Sequence, residues 1–264
     1  MRAPIKPVAA GLRPKDTVQL LALPGMPEIR KGDDLASAIA GAARKQGLAF
    51  EDGDVLVVAQ KIVSKAEGCI VALAQVRPSA AARALGKTLH SDPRFVEVVL
   101  SETRRIVRES PHALIVETHH GFVCANAGVD RSNVPGRNVV SLLPRDPDAS
   151  AKRLAAALRK RTKKRVAVII SDTFGRAWRL GLVNVAIGAA GLPVLRDLRG
   201  ERDRTGKRLH ATILAVADEL AAAAGLLMGK AEGVPAVVIR GYPFAPASEP
   251  AAKIIRPARE DLFR

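Results

Sequence analysis

Apolar residues in this chain fall into short blocks separated by turn formers, with longer amphipathic stretches between them. Val18–Leu23, Val55–Ala59, Val166–Ser171 and Ala236–Arg240 are runs rich in Val, Ile and Leu. Their length and flanking Gly, Pro and Asp residues predict short strands. The first is expected to be an edge strand entered from a basic leader over residues 1–18, and Glu51-Asp-Gly-Asp54 is a turn before the second. Gly32-Asp33-Asp34 opens a helix from Leu35 to about Gln46, with an Asp N-cap and Gly47 as the stop. Pro78 to about Arg108 reads as mostly helical, broken near Asp92-Pro93. Ala113–Glu117 and Gly121–Ala125 form the arms of a hairpin around Thr118–Gly121. Asp146-Pro147 couples an N-cap to Pro at the first helical position and starts a helix to about Lys160. His210–Met228 is Ala-rich and helical, ending near Gly229, and the small residues of Gly181–Gly191 predict close backbone packing. Helices and strands mix without a regular βαβ rhythm, so the expected class is α+β, a mixed sheet with helices.

Length adds scale. The 264 residues suffice for a full core, read as a single unit over 1–264 with a core at 20–243 and a Pro- and Ala-rich tail at 244–264, or as two intimate subdomains. Apolar residues make up 48% of the chain but aromatics only 3%, so aliphatic side chains must build the interior. No apolar run reaches membrane-span length, and the amino terminus lacks a signal-peptide h-region. Cys69 and Cys124 are too few for a disulfide scaffold and lack metal-ligand spacing. The expectation is a cytoplasmic protein without a membrane partner.

Charge changes the picture less than its size suggests. Lys and Arg number 42 against 26 Asp and Glu, a net charge of +16. The densest basic segments, Arg153–Arg165 and Arg196–Arg208, contain no Phe, Tyr or Trp on which bases could stack. Specific nucleic-acid binding is therefore disfavoured and kept only as a rival of a different class. Anionic small substrates suit the same charge.

Candidate chemistry concentrates in two runs. Ala125–Asn133 reads Ala-Asn-Ala-Gly-Val-Asp-Arg-Ser-Asn, and Ser171–Arg176 reads Ser-Asp-Thr-Phe-Gly-Arg. Each follows an apolar, β-rich stretch, so Asp130 and Asp172 are candidates to meet at strand ends and share a hard cation. Carboxylate, amide and hydroxyl oxygens suit magnesium or manganese bridged to phosphate, which points to a nucleotide-using enzyme. A phosphate-binding P-loop is excluded. Gly86-Lys87-Thr88 lacks the first Gly, with Ala at position 81, and the spacings at Gly200…Gly206 and Gly225…Gly229 are one residue too long and one too short.

These runs resemble the coenzyme F-420:L-glutamate ligase family. The likeness covers about residues 20–243 and includes Leu23-Pro24 with Ile29…Gly32-Asp33, Asp52-Gly-Asp54, Lys61-Ile-Val-Ser64-Lys65-Ala-Glu67-Gly68 and Lys230-Ala-Glu232-Gly-Val-Pro235. The resemblance implies a non-P-loop α+β fold, divalent metal (two magnesium or manganese ions), a homodimer, and GTP-dependent amide ligation through an acyl phosphate. Its substrates would be GTP, L-glutamate and a deazaflavin coenzyme precursor. A sister amide ligase with another carboxylate acceptor remains the nearer alternative.

Carried over residue by residue, the resemblance implies metal ligands at Asp130, Asp172, Thr173 and Glu232. Asp130, Asp172 and Lys65 would be catalytic. Nucleotide contacts are implied at Leu23, Pro24, Gln60, Lys61, Lys65 and Asn133, and along Met228, Gly229, Lys230, Ala231, Glu232 and Gly233. Two positions depart from the family pattern. Ala59-Gln60 replaces a small hydroxyl pair before Lys61, and position 230, where an amide or acidic metal ligand is expected, is Lys. The residues themselves leave other readings open: Asp130 could make an Asx turn, Asp172 a helix N-cap, and Lys230 a helix C-terminal charge. His119 and His120 are candidate proton shuttles, Arg131 and Arg176 candidate anion clamps, and Trp178 a candidate reporter of ligand binding.

Overall fold

The computed structural model describes residues 17–111, 113–134, 136 and 138–261; most of the basic leader lies outside them. In chain order the elements are β1 (Gln19–Ala22), α1 (Leu35–Lys45), β2 (Val55–Ala59), α2 (Gln60–Glu67), β3 (Ile70–Ala72), α3 (Ala80–Thr88) and α4 (Pro93–Ser101). Next come β4 (Thr103–Ser110), β5 (Ala113–Thr118), β6 (Val123–Ala125), β7 (Val139–Ser141), α5 (Pro147–Thr162), β8 (Ala167–Arg176) and β9 (Arg179–Ala190). The last are β10 (Arg196–Asp197), β11 (Ile213–Leu214), α6 (Val216–Met228) and β12 (Ala236–Arg240). The class is α+β, as expected.

The helix signals act as written. Asp34, Asp92 and Asp146 accept hydrogen bonds from first-turn amides of α1, α4 and α5, and Pro93 and Pro147 occupy early positions that need no donor. Two expectations fail. Residues 103–108 are not helical but belong to β4, which pairs antiparallel with β5. The predicted helix at His210 begins only at Val216, because Ile213–Leu214 pair with Arg196–Asp197. The candidate phosphate loop at Gly86-Lys87-Thr88 is the end of α3.

The main sheet has the order β1-β12-β2-β8-β9. The β2–β8 pair is parallel and its other neighbours are antiparallel. Alternation along β2 sends Leu56 and Val58 to one face, with Ile39, Leu154 and Leu158, and sends Val55 and Val57 to the other, with Leu220, Ala221 and Ala224. Helices α1 and α5 therefore cover one face and α6 the other, burying aliphatic surface at roughly 25 cal/mol per Å². A third apolar cluster joins Phe95, Val98 and Val99 of α4 to Leu114 and Val116 of β5. Beside it lies the three-stranded sheet β4-β5-β6.

Gly188 explains the close approach expected at 181–191. A Cβ there would lie 2.4 Å from the Pro147 carbonyl oxygen, so glycine lets β9 touch the first turn of α5. In that turn, Asp148 accepts from the Ala189 N–H at 2.8 Å and the Ala251 N–H at 2.7 Å, tying the tail to the sheet.

Candidate functional site

Register decides which residues meet. Because β2 and β8 run parallel with Ala59 opposite Ser171, the start of α2 and Asp172 emerge at the same end of the sheet. A crevice beyond the carboxyl ends of parallel strands is a common ligand position. Here it is a cleft of about 540 Å³. A register shift between Ile170 and Ser171 marks a β-bulge beside it, and bulges re-aim side chains. The strand then continues through Asp172 and Thr173 into the β8–β9 hairpin, so the N-cap reading of Asp172 does not hold.

Asp130 arrives from the second sheet system. Asn126, Ala127 and Gly128 all have positive φ, at 52°, 54° and 70°. Left-handed backbone suits Asn and Gly and strains Ala by roughly 1–2 kcal/mol. The run then turns outward and Asp130 bridges Ser141. The Asp130 carboxylate accepts from the Lys61 Nζ at 2.6 Å, the Ser132 N–H at 2.7 Å and the Ser132 hydroxyl at 2.8 Å. The Asx turn is therefore real, and it coexists with a position lining the cleft. Burial pushes the Asp130 carboxyl up, but the Lys61 ammonium and the Ser132 donors hold it below its ordinary value.

Asp172 is the opposite case. Burial raises its pKa to about 6, against the Thr173 N–H and the Lys230 and Lys61 charges, while Asp130 pushes the same way as burial. No side chain among the described residues donates to its carboxylate. A part-buried carboxylate without a side-chain partner is costly and common at functional sites.

Three lysines surround the pair. Lys61 also donates to the Ser132 carbonyl at 2.7 Å. Lys65, nearly buried in α2, pairs with Glu28 at 2.5 Å. Lys230 donates to the Thr173 hydroxyl at 3.2 Å, which itself donates to Asn184 Oδ1 at 3.1 Å. Gln60 is buried and accepts from the Ser64 hydroxyl. The N-cap of α2, Ala59, offers no side-chain bond to the free amides of the first turn. Asn133 donates to the Lys230 carbonyl at 3.2 Å, joining the two walls of the cleft.

The cleft thus gathers Gln60, Lys61, Lys65, Asp130, Asn133, Asp172 and Thr173, with Met228, Gly229, Lys230, Ala231 and Gly233 of the following loop. Leu23, Pro24 and Glu232 do not line it. Leu23 is a core residue whose N–H donates to the Ala236 carbonyl, continuing the β1–β12 ladder, and Pro24 follows it away from the lining. Glu232 turns back to accept from the Ala231 N–H at 2.8 Å. Glu28 and Asn184 line the cleft without having been expected, and no local signal marked them; Ser171, the first residue of the Ser171–Arg176 run, lines it too. Among the described residues no group of three His, Cys, Asp or Glu side chains could hold a metal. The donor set is instead two carboxylates with neutral oxygens, which suits a hard cation.

The remaining candidates lie elsewhere. His119 contacts the Ser101 carbonyl, and His120 contacts the Pro144 and Arg145 carbonyls while stacking on Phe122. Arg131 stacks over Phe95 and Arg176 donates to the Leu180 carbonyl. Trp178 is 80% exposed at the hairpin tip, beside Leu180 at 98%. Among the described residues no helix is long and apolar enough to cross a membrane.

Similarity to known proteins agrees with the likeness seen in the motifs. Residues 25–241 match the family described as F420-0:Gamma-glutamyl ligase. The coenzyme F420:L-glutamate ligase of Methanothermobacter thermautotrophicus is 48% identical over 250 residues, covering 94% of this chain and 99% of that protein. Its counterparts from Methanopyrus kandleri and Archaeoglobus fulgidus are 47% and 42% identical, each over 94% of this chain and over 98% and 96% of their own lengths.

Proposed function

The chain belongs to the coenzyme F420:L-glutamate ligase family, and from that premise we propose that it uses GTP to join L-glutamate to a deazaflavin coenzyme precursor. It is an acid–amino-acid ligase. The γ-phosphoryl group of GTP passes to the terminal carboxylate of the precursor, giving an acyl phosphate and GDP. The glutamate amine then attacks the acyl carbon, an amide bond forms, and phosphate leaves with the electron pair of the broken C–O bond and takes up the proton the amine gives up. The observation that carries this reading is the convergence of Asp130, Asp172, Lys61, Lys65 and Lys230 on one cleft.

Phosphoryl transfer depends mainly on positioning and charge neutralisation. Asp130 and Asp172 would hold magnesium or manganese, and an Asp172 carboxylate with no side-chain donor among the described residues fits such a cation; bound there, it would neutralise phosphate charge. Lys61 and Lys65 exchange their internal carboxylate partners for phosphate oxygens. The uncapped amides at the start of α2 favour the same anion. Gln60, Asn133 and the loop Met228–Gly233 enclose the nucleotide.

The protein works as a single ligase unit in the cytoplasm and as a homodimer. The exposed Trp178, Leu180 and Leu182 of the β8–β9 hairpin support self-association, because apolar side chains clustered on one tip favour burial. Incubation with GTP, manganese, L-glutamate and the glutamate-free coenzyme, read by mass spectrometry, tests the reaction. GTP-dependent addition of glutamyl units, lost in Asp130→Ala and Asp172→Ala, is expected. GTP consumption without glutamylation would move the acceptor elsewhere, and absence of nucleotide turnover would refute the reading.

A further inference from the structure

We infer that Lys230 is a built-in cation of the cleft, its ammonium taking the place beside Thr173 and Asp172 that a second divalent ion would need. The inference rests on the nucleotide-ligase reading above and changes its ion count: one exchangeable ion accompanies each nucleotide, held by Asp130 and Asp172.

The loop carrying Lys230 is fixed from several sides. Gly229 has φ of 54°, and a Cβ there would lie 1.7 Å from Glu232 Oε2. Glycine is therefore required for the Glu232 carboxylate to fold back onto the Ala231 N–H. On the other side, the Asn133 amide holds the Lys230 carbonyl across the cleft at 3.2 Å. With its backbone held this way, Lys230 aims its side chain at the Thr173 hydroxyl, 3.2 Å away.

That hydroxyl has little left to offer a metal. It has one proton and two lone pairs. The proton goes to Asn184 Oδ1 and one lone pair receives the Lys230 ammonium. A metal ion bonded to the same oxygen at about 2.0–2.6 Å would stand against a positive charge in a part-buried site, where repulsion is weakly screened. Glu232, the other acidic residue of the loop, is folded back on the Ala231 amide and does not line the cleft. Neither candidate presents an open oxygen beside Asp172 to complete a second ion's ligand set.

Lys230 also differs from its two neighbours. Lys61 satisfies its ammonium on Asp130 and Ser132, and Lys65 pairs with Glu28. Among the described residues Lys230 has the Thr173 hydroxyl as its hydrogen-bond partner and no ion pair, while its charge acts on Asp172. An ammonium has three protons, so it retains donors for an incoming phosphate oxygen. It is thus a positioning cation that can touch the nucleotide without displacing a carboxylate.

Counting bound manganese by the electron paramagnetic resonance signal of the free ion, with GDP present, tests this. Wild type and Lys230→Arg are expected to bind one ion per chain and Lys230→Gln two. In the absence of metal, Lys230→Gln should also bind GDP at least about tenfold more weakly, a typical loss for a charged hydrogen bond. Two ions in wild type, or no added ion in Lys230→Gln whose melting curve matches wild type, would overturn the Lys230 assignment while leaving the ligase reading intact. No manganese-dependent GDP binding in wild type would overturn both.

Discussion

Replacing Asp172 by Asn should stabilise the metal-free fold and abolish turnover of the metal-loaded enzyme. In the folded chain burial lifts this carboxyl from 3.8 to about 6, which corresponds to on the order of 3 kcal/mol of disfavoured ionisation. The sign follows from proton uptake. Between 3.8 and about 6 the folded state binds more protons than the unfolded one, so stability falls as pH rises through that window. The penalty is fully present above about 6 and absent below 3.8. Asn removes the charge at nearly constant volume, so Asp172→Asn should melt roughly 6–12 °C above wild type near pH 7.5 in EDTA, at about 2–4 °C per kcal/mol for a chain of this size. The advantage should shrink steadily on acidification and vanish near pH 4. Calorimetric or fluorescence melts across that range measure it. Equal melting at pH 7.5, or an advantage independent of pH, would refute the claim that Asp172 is a carboxylate held at a cost to stability.

Three further outcomes follow from other parts of the structure. Arg240 binds the buried Asp54 carboxylate through Nε at 2.8 Å and Nη2 at 2.7 Å; Arg240→Ala leaves that charge unpaired and should cost about 3–5 kcal/mol, read from urea unfolding, and a loss below about 1 kcal/mol would show that water replaces the guanidinium. Gly188→Ala drives a methyl group into the Pro147 backbone and should cost at least about 1–3 kcal/mol, with unchanged urea midpoints arguing against the β9–α5 contact. Leu180→Glu at the 98% exposed hairpin position should convert the proposed dimer to a monomer by light scattering, whereas a wild-type monomer, or a mass unchanged by the substitution, would refute self-association through this hairpin.

Much of this protein is legible in the chain because its signals are local. Asp34, Asp92 and Asp146 cap helices through amides two or three residues away, and a cap needs nothing beyond its own turn. The buried strands β2, β8 and β12 were readable because burial on both faces demands continuous aliphatic runs. The motifs around Asp130 and Asp172 marked two segments that the fold brings to one cleft.

What escaped depends on partners distant in sequence. Thr103–Ser110 is mostly polar, and only its pairing with Ala113–Thr118 makes it a strand. Gln60–Glu67 is short, and its amphipathic face becomes a helix against the sheet, with Ile62 and Val63 in the core. Leu23 lies outside the cleft lining because its N–H extends the β1–β12 ladder to the Ala236 carbonyl. Glu28 and Asn184 enter the cleft across 37 residues from Lys65 and 11 from Thr173. The sequence by itself determined which chemical groups are present and which segments could be helix or strand, because capping and hydrophobic period act within a few residues. Only the tertiary structure decided that Asp172 is left without a side-chain partner, that Glu232 closes its own loop and that Lys230 reaches Thr173. Those outcomes turn on strand register and loop geometry, which join residues that no local interaction connects.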